Sequence, residues 1–436
     1  MAQAICNFSV VYSGSCVPCR VSLSFGQLAC KKTMFDFDDL EDHLEASAAP
    51  NRIWAVSDIH TDAKDNLDFV ERLDPKAYAK DALILAGDVS DNLEVVRKTL
   101  RSLRAKFAYV FFVPGNHDLW VTRQKAKDNC HDSLSKMSAL ERICQEERVD
   151  TRPRRLLASR EGASSVWIVP LLSWHCQSFD TEPDIDKRWR GIPEVEAICS
   201  DYELCAWPGT LDPRTDAIAE KLDQMNDKLV MEMDEANGTQ LNALIDGRVR
   251  TDSGDIIISF SHFLPRIELL PEKRYLYMPS LAKMVGSPLL GRRVERMQPH
   301  VHIFGHTHFG WDQVLEGIRY VSPPMGMPRE RDQRLSTIAT GQFPIGTVHD
   351  DQPAAPLFVW SQTAGFAPRY AAGWSGFYDK YPREPEQVLV LPDYVASIYR
   401  WDERAHGSKA EVTGWQGKEP PWIFGPTWTK ARKRHA

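Results

Sequence analysis

Short apolar runs of strand length alternate along the chain with segments of helical periodicity, beginning near residue 50. Such runs are typical of buried strands when turn-forming residues follow them. They are "RIWAVSDIH", "DALILAGDVS", "AYVFFVPGNHD", "VWIVPLLSW", "DIIISFSHF", "HVHIFGHTH" and "IRYVSPP". Strand, helix and strand in repeated succession predict a largely parallel or mixed sheet that is covered by helices.

Between these runs, apolar residues recur three or four positions apart, which predicts amphipathic helices. In the clearest of them, the apolar stripe consists of Leu93, Val96, Leu100 and Leu103. Asp91 is predicted to cap the start of this helix, with Glu94 three residues further on. Other helices are predicted around Leu67, Val70 and Leu73, around Leu134, Met137, Leu140 and Ile143, and around Ile218, Leu222, Met225 and Leu229.

The same pattern predicts three parts of the chain. Residues 1–48 are expected to be a targeting and linker segment that is disordered or cleaved. Residues 49–330 hold the alternating strands and helices, interrupted by a polar insertion over about 176–255 that either caps a site or decorates its rim. Residues 331–436, rich in Pro, Gly and aromatic side chains, are expected to be an extension packed on the core.

Composition and charge limit the function classes. With 436 residues and 43% hydrophobic content, the chain can bury one large core or two smaller ones. The formal net charge of -7 argues against a surface that mainly neutralises a nucleic-acid backbone. The sequence contains no run of 18 apolar residues, so no membrane-spanning helix is predicted.

The N-terminal segment has the composition of a transit peptide. It contains no acidic residue before Asp36, many serines, and only Arg20, Lys31 and Lys32 as basic residues. An apolar core typical of secretory signals is missing, and the scarcity of arginine favours a plastid over a mitochondrion if the organism has plastids. The alternatives for this segment are an unstructured extension or a true start at Met34. The protein would otherwise be cytoplasmic or mitochondrial.

The nine cysteines are odd in number and scattered, which fits a reducing compartment. Cys16 and Cys19 form one C-x-x-C pair, so a thiol redox or zinc-binding function is one alternative. This pair has no second C-x-x-C to partner it, and the alternative fails if the mature protein begins near residue 34.

Polar residues cluster at the downstream ends of the predicted strands. They are Asp58 and His60, Asp88, Asn116, His117 and Asp118, His262, and His306 with His308. Strand ends on one edge of a sheet form a shared crevice in which ligands bind. Gly87, Gly115 and Gly305 stand just before these groups, where the chain must leave the strand sharply and glycine tolerates the required dihedral angles.

Such a set of side chains fits two divalent cations that share one anionic ligand, for which Asp88 is the natural choice. Two carboxylates, from Asp58 and Asp88, and one hydroxide would leave about one net positive charge on two such cations. That charge suits an anionic phosphoryl group, which a cage made only of carboxylates would repel.

The motifs D-x-H, G-D, G-N-H-D, a lone histidine after a strand, and G-H-T-H, in this order over residues 58–308, resemble those of the calcineurin-like metallophosphoesterase superfamily. The resemblance implies an α/β (α+β) fold, a four-layer αββα sandwich of two mixed β-sheets flanked by helices. It also implies two metal ions, and Mn, Fe or Zn would each suit His, Asp and Asn ligands.

The resemblance further implies a role for each residue of the set. One metal would be held by Asp58, His60, Asp88 and His308, and the other by Asp88, Asn116, His262 and His306. His117 would be the catalytic residue that protonates the leaving oxygen or donates to the phosphoryl group. Asp118 would orient or support His117.

The implied reaction is hydrolysis of a phosphomonoester or phosphodiester by attack of a metal-bridging hydroxide, without a phosphoenzyme. The protein serine/threonine phosphatase branch has "GD-x-x-D-R-G" and "GNHE", whereas this chain has "GDVSDN" and "GNHD". The arginine which that branch uses to hold phosphate is therefore absent at this place. A phosphodiesterase or a phosphatase for phosphorylated small molecules is favoured, and a catalytically silent scaffold on the same fold is the alternative.

Four further residues near the motifs receive assignments. Trp120 either packs in the core or stacks on an aromatic leaving group, and Arg266 is a candidate phosphate contact. His175 and His302 are interpreted as structural histidines.

Overall fold

Two mixed β-sheets contain most of the strands of this protein. The computed structural model describes residues 50–121, 129–158, 164–237, 254–333, 355–370 and 373–402. The strands are β1 (Arg52–Val56), β2 (Ala82–Ala86), β3 (Tyr109–Val113), β4 (Arg154–Leu156), β5 (Val166–Pro170), β6 (Trp189–Arg190), β7 (Ile256–Phe260), β8 (Val301–Ile303), β9 (Trp311–Leu315), β10 (Ile318–Ser322), β11 (Leu357–Ser361), β12 (Gly365–Phe366) and β13 (Arg400–Trp401).

The first sheet has the order β12-β11-β1-β2-β3 and the second the order β4-β5-β7-β8-β10-β9, while β6 and β13 form a separate pair. Parallel pairing joins β1, β2 and β3 in one sheet and β5, β7, β8 and β10 in the other. Antiparallel strands complete the edges. Helices flank both sheets, so the predicted fold class is confirmed.

The helices are α1 (Lys64–Arg72), α2 (Pro75–Tyr78), α3 (Leu93–Arg104), α4 (Ser133–Glu146), α5 (Asp201–Leu204), α6 (Ala217–Asn237), α7 (Pro288–Met297), α8 (Pro328–Gln333), α9 (Gly373–Tyr378) and α10 (Asp393–Ala396). The four predicted helical stripes lie on or at the end of α1, α3, α4 and α6. Of the helices in the described ranges, none has the length and apolar character that crossing a membrane requires.

Burial explains why the central strands read as continuous apolar runs. Every residue of β2 is fully buried, because helices cover the outer face of a parallel sheet while its other face packs inside the protein. Each predicted strand run corresponds to a strand of the structure, and the runs that carry the polar residues end at the same edge of their sheets.

The C-terminal extension contributes directly to the first sheet. β11 pairs antiparallel with β1, with Trp360 opposite Ile53, and Trp360 is buried. The extension therefore supplies strands as well as aromatic packing. Residues 1–49, which include Cys16 and Cys19, and residues 403–436 lie outside the described residues.

The cap of α3 is not the predicted residue. The helix begins at Leu93, and the side chain of Asn92 accepts a hydrogen bond of 3.0 Å from the backbone N–H of Glu94. The prediction of Asp91 as the cap was wrong by one residue, because "SDN" offers three adjacent side chains that can cap a helix and local pattern does not decide between them.

We expect Asn92→Ala to lower the free energy of unfolding by about 1 kcal/mol, because one backbone N–H at the start of α3 loses its acceptor. Chemical denaturation monitored by circular dichroism measures this change. Asn92→Asp is the matched control, since it keeps an acceptor at the same position. Equal stability of the alanine and aspartate variants would contradict the assigned cap.

Candidate metal centre

The polar residues predicted to meet at the strand ends do lie together. The loops after β1, β2, β3, β7 and β8 deliver them, and backbone hydrogen bonds connect these loops: Asp58 N–H donates to Gly87 O at 3.0 Å, and Gly305 N–H donates to His262 O at 2.9 Å. The two sheets also meet here, because Ser57 and Pro324 form a parallel bridge. The site therefore draws on both sheets.

Asp58, His60, Asp88 and His308 form the first cluster, with one ligand atom from each lying within 4.8 Å of all the others. His60 Nε2 is 3.1 Å from His308 Nε2 and 3.8 Å from Asp88 Oδ2. His308 Nε2 is 3.5 Å from Asp58 Oδ1. These are the four residues predicted to share one metal.

The second cluster consists of Asn116, His262 and His306 beside Asp88. Asn116 Oδ1 lies 3.1 Å from His262 Nε2 and 3.0 Å from His306 Nδ1, and the two imidazole nitrogens are 3.3 Å apart. His262 Nε2 is 3.5 Å from Asp88 Oδ1. Asp88 thus points Oδ2 at the first cluster and Oδ1 at the second.

Hydrogen bonds on the far sides of the two second-cluster imidazoles fix their tautomers. His262 Nδ1 donates to Ala86 O, and His306 Nε2 donates to Met284 O, each at 2.9 Å. The nitrogens that face the cluster are therefore unprotonated acceptors. Burial lowers the pKa of His262 to about 4 and that of His306 to about 3, so both rings are neutral near pH 7.

The amide of Asn116 is fixed in the same way. Its Nδ2 donates to Asp201 Oδ1 at 2.9 Å, so the oxygen must face the two histidines. Three acceptor atoms consequently converge without a proton between them. A divalent cation satisfies this arrangement, since each acceptor then directs a lone pair at positive charge. The residues present fit a metal.

The buried carboxylates of the site also favour a bound cation. Asp58 and Asp88 are buried, and among the described residues no lysine or arginine forms an ion pair with either of them. Burial, with the neighbouring carboxylates of Asp118 and Asp58, raises the pKa of Asp88 well above its ordinary value. A bound cation opposes that shift because it stabilises the ionised form.

Several of the predicted ligands adopt left-handed backbone conformations, which side-chain-bearing residues rarely adopt. They are Asp58 at φ 51°, His60 at φ 39°, Asp88 at φ 59°, His306 at φ 74° and His308 at φ 56°. Each such residue costs on the order of 1 kcal/mol or more and persists only where its surroundings enforce it. The strand ends therefore hold these side chains in place at the expense of local strain.

Backbone conformation and space explain the glycines that stand before the ligands. Gly87 has a φ of +82°, as its predicted role requires. All three glycines are also required for space: an added Cβ would lie 2.5 Å from His262 Nδ1 at Gly87, 2.1 Å from Asp88 Oδ1 at Gly115 and 2.7 Å from Asp58 Oδ2 at Gly305. The backbone must approach these carboxylates more closely than any side chain permits.

The side chain of His117 is 25% exposed, and its Nε2 lies 3.9 Å from Asp88 Oδ2. Its ring stacks on Trp120 with 3.6 Å between ring centroids. Trp120 is itself buried, so the indole supports His117 from inside the protein. This contact agrees with the packing alternative for Trp120.

Asp118 is buried and accepts hydrogen bonds from four backbone N–H groups. The donors are Asp88 at 2.8 Å, Val89 at 2.9 Å, Ser90 at 3.0 Å and Gly115 at 2.8 Å. Its carboxylate thus joins the loop of Asp88 to the loop of Asn116. The predicted support of His117 stays a prediction, and these contacts would act on it through the loop backbone.

Sequence reasoning missed two acidic residues that contact the predicted set. Asp201, on α5 in the polar insertion, accepts from Asn116 and from Trp120 Nε1. Glu330, on α8, pairs with His308 Nδ1 and also accepts from the backbone N–H of Met327 at 3.0 Å. Neither follows a strand, so periodicity gave no signal for them.

Two further assignments have clear outcomes. His302, on β8, is structural, as predicted: its two ring nitrogens contact Ser259 Oγ on β7 at 2.8 Å and Ser261 Oγ just after β7 at 3.0 Å. The guanidinium of Arg266 forms ion pairs with Glu268, Glu295 and Glu316, so its donors already serve carboxylates. This contradicts a primary role for Arg266 as a phosphate contact.

Comparison with known proteins gives a family match, a curated relative and similar solved structures. Residues 51–310 match the protein-family model for calcineurin-like phosphoesterases. The acyl-carrier-protein phosphodiesterase PptH of Mycobacterium tuberculosis is 26% identical over 302 residues, which cover 66% of this chain and 82% of the relative.

Two solved structures are similar at low identity. The phosphopantetheinyl hydrolase PptH of Mycobacterium tuberculosis has a TM-score of 0.48 and 23% identity, covering 65% of this chain and 92% of its own. A putative 5'-nucleotidase from Staphylococcus aureus in complex with alpha-ketoglutarate has a TM-score of 0.27 and 11% identity, covering 62% and 48%.

We expect Gly115→Ala to weaken metal binding and to lower the free energy of unfolding by about 1–3 kcal/mol, because the methyl group would overlap Asp88 Oδ1. Calorimetric metal titration and denaturant unfolding measure the two effects. Gly376→Ala is the control, since an added Cβ there meets nothing within 4 Å. Wild-type metal affinity in Gly115→Ala would contradict the close approach.

Proposed function

The chain belongs to the calcineurin-like phosphoesterase family, and on this premise we propose that it is a dinuclear metal-dependent phosphodiesterase. The observation that carries the proposal is the convergence of acceptor atoms on both sides of Asp88, with Oδ2 toward one cluster and Oδ1 toward the other. A carboxylate shared between two sets of ligand atoms, one with the Asp58 carboxylate and two imidazoles and the other with an amide and two imidazoles, supports a pair of divalent cations.

In this proposal, Asp58, His60, Asp88 and His308 hold one cation, and Asp88, Asn116, His262 and His306 hold the other. When bound, the two cations would withdraw charge from the phosphoryl oxygens and make a water molecule nucleophilic near neutral pH. Mn, Fe and Zn all suit this mixture of imidazole, amide and carboxylate ligands.

The remaining chemistry belongs to side chains and backbone of the chain. In the proposed reaction, the imidazole of His117 gives a proton to the departing oxygen of the ester, and its partly exposed side chain beside the Asp88 carboxylate supports this role. Trp120 limits the tilt of that ring by stacking on it. Asp118 preserves the spacing of the Asp88 and Asn116 loops by gathering their N–H groups. Water attacks phosphorus directly, so no side chain becomes phosphorylated.

The proposed substrate is a phosphodiester. The Mycobacterium tuberculosis relative is an acyl-carrier-protein phosphodiesterase, and the chain spans 82% of its length. The absence of the arginine found in the protein phosphatase branch points the same way. Holo-acyl carrier protein is therefore the first diester to test, beside small-molecule diesters and monoesters. If only monoesters are hydrolysed, the substrate is a phosphorylated small-molecule monoester and not a phosphodiester.

We expect Asp88→Asn to lose both metals and activity together, because it removes the charge shared by the two clusters. His117→Ala should keep both metals and lower kcat by about 10²- to 10⁴-fold, as expected for a general acid. Metal content by mass spectrometry and rates on each substrate, with the full chain, measure both.

Full activity in Asp88→Asn would overturn the shared-ligand assignment. A wild-type chain with less than one metal ion per molecule and no hydrolysis of any ester would support the catalytically silent scaffold instead. Wild-type kcat in His117→Ala would remove the histidine from the reaction and leave the metal assignment intact.

We also propose that residues 1–48 direct the chain to a plastid where the organism has one, on the basis of their transit-peptide composition. A fusion of these residues to a fluorescent protein should enter plastids. A cytoplasmic or mitochondrial signal from the same fusion would contradict the proposal.

A further inference from the structure

Asp201 connects the polar insertion to the interior of the candidate metal centre. It is the first residue of the short helix α5 and is buried. Its Oδ1 accepts from Asn116 Nδ2 at 2.9 Å and from Trp120 Nε1 at 2.6 Å. One oxygen atom therefore binds two residues of the same loop, one on each side of His117 in the sequence.

The contact with Asn116 decides which end of the amide faces the second cluster. An amide has two ends of nearly equal size, one that accepts and one that donates. A carboxylate at Asp201 can only accept, so it selects the orientation in which Nδ2 points away from the cluster. Asn116 Oδ1 then faces His262 and His306, where a cation ligand is needed. The opposite orientation would present an N–H group to the cation.

The contact with Trp120 acts on His117. An indole has one N–H donor, and here Asp201 accepts it. That bond limits rotation of the indole about its side chain, and the indole is the surface on which the His117 ring stacks at an interplanar angle of 29°. The direction of His117 Nε2 toward Asp88 thus depends on where Asp201 holds the indole.

Asp201 is itself held from several sides. Its Oδ2 lies 3.1 Å from His175 Nε2, and Cys199 Sγ donates to the same oxygen at 3.7 Å. The last residue of α5, Leu204, accepts a backbone hydrogen bond of 2.9 Å from Val121, directly after Trp120. The helix is therefore bound to the loop by backbone as well as by side chain.

We propose that Asp201 is a positioning residue of this phosphodiesterase, which fixes the metal-facing oxygen of Asn116 and the indole beneath His117. The inference rests on the proposed function for the roles of these two residues. The insertion then has a function other than capping the site or lying at its rim. Through Asp201 it holds Asn116 and Trp120 on the side that faces away from the metal ligands.

The test compares Asp201→Ala, Asp201→Asn and Glu203→Ala in the full chain. Asp201→Ala removes both hydrogen bonds, and we expect affinity for the second metal equivalent and kcat each to fall by about 10- to 100-fold, as for other residues that orient ligands. KM should change by less than about threefold, because the substrate contacts remain. Asp201→Asn keeps an acceptor at Oδ1 and should lie closer to wild type.

Glu203→Ala is the matched control, since it removes an exposed carboxylate from the same helix and should leave metal binding and kcat unchanged. The inference is overturned if Asp201→Ala binds the second metal and turns over like wild type. It is equally overturned if Asp201→Asn falls as far as Asp201→Ala, because the acceptor oxygen would then not be the determinant.

Trp120→Phe examines the His117 half and decides the proposal if Asp201→Ala does not fold. Phenylalanine keeps a ring for stacking and removes the N–H donor, so kcat should fall by about 10-fold while both metals remain bound. Wild-type kcat in this variant would overturn the inference. Metal-binding isotherms of the Asp201 variants distinguish failure of this inference from failure of the proposed function. They measure the effect of Asp201 on the second metal even if no ester is hydrolysed.

Discussion

The site depends on acceptor atoms that face one another with no proton between them. His262 and His306 give their ring protons to backbone carbonyls, and Asn116 gives its amide hydrogen to a carboxylate, so each directs a lone pair inward. Without a cation these lone pairs repel one another, and burial together with the neighbouring carboxylates disfavours the ionised form of Asp88. Hydrogen bonds on the outer side of each ligand therefore determine the chemistry of the inner side.

Such an arrangement is held by backbone that resists rearrangement. Five of the ligands have left-handed backbone, and the loops after β3 and β8 contain glycines that carboxylate oxygens approach too closely for any side chain. A flexible loop would relieve the repulsion by moving apart. Loops joined by backbone hydrogen bonds, and by the four N–H groups gathered at Asp118, cannot do so at low cost.

The parts of this structure that were predictable are those in which local sequence determines geometry. Apolar runs located the strands, and because parallel strands end at one edge, the motif residues had to meet there. Asp201 and Glu330 were not predictable. They lie on helices of four and six residues, which are too short to show a periodic apolar pattern, and only tertiary packing brings them close to the site. The same limit applies to the pairing of β11 with β1, which joins segments about 300 residues apart. The choice of Asn92 over Asp91 at a cap failed for a different reason, because adjacent residues of the same capping ability leave the local pattern ambiguous.

The pairing of β11 with β1 has a consequence for synthesis of the protein. Asp58 lies just beyond the end of β1. The edge of β1 that pairs with β11 has no such partner until Leu357–Ser361 has emerged from the ribosome. Until then the unpaired backbone N–H and C=O groups of β1 form a strand edge that can pair with another chain. Completion of the first sheet is therefore a late, long-range event. A chain that stopped at the end of the phosphoesterase motifs would keep this edge without its β11 partner.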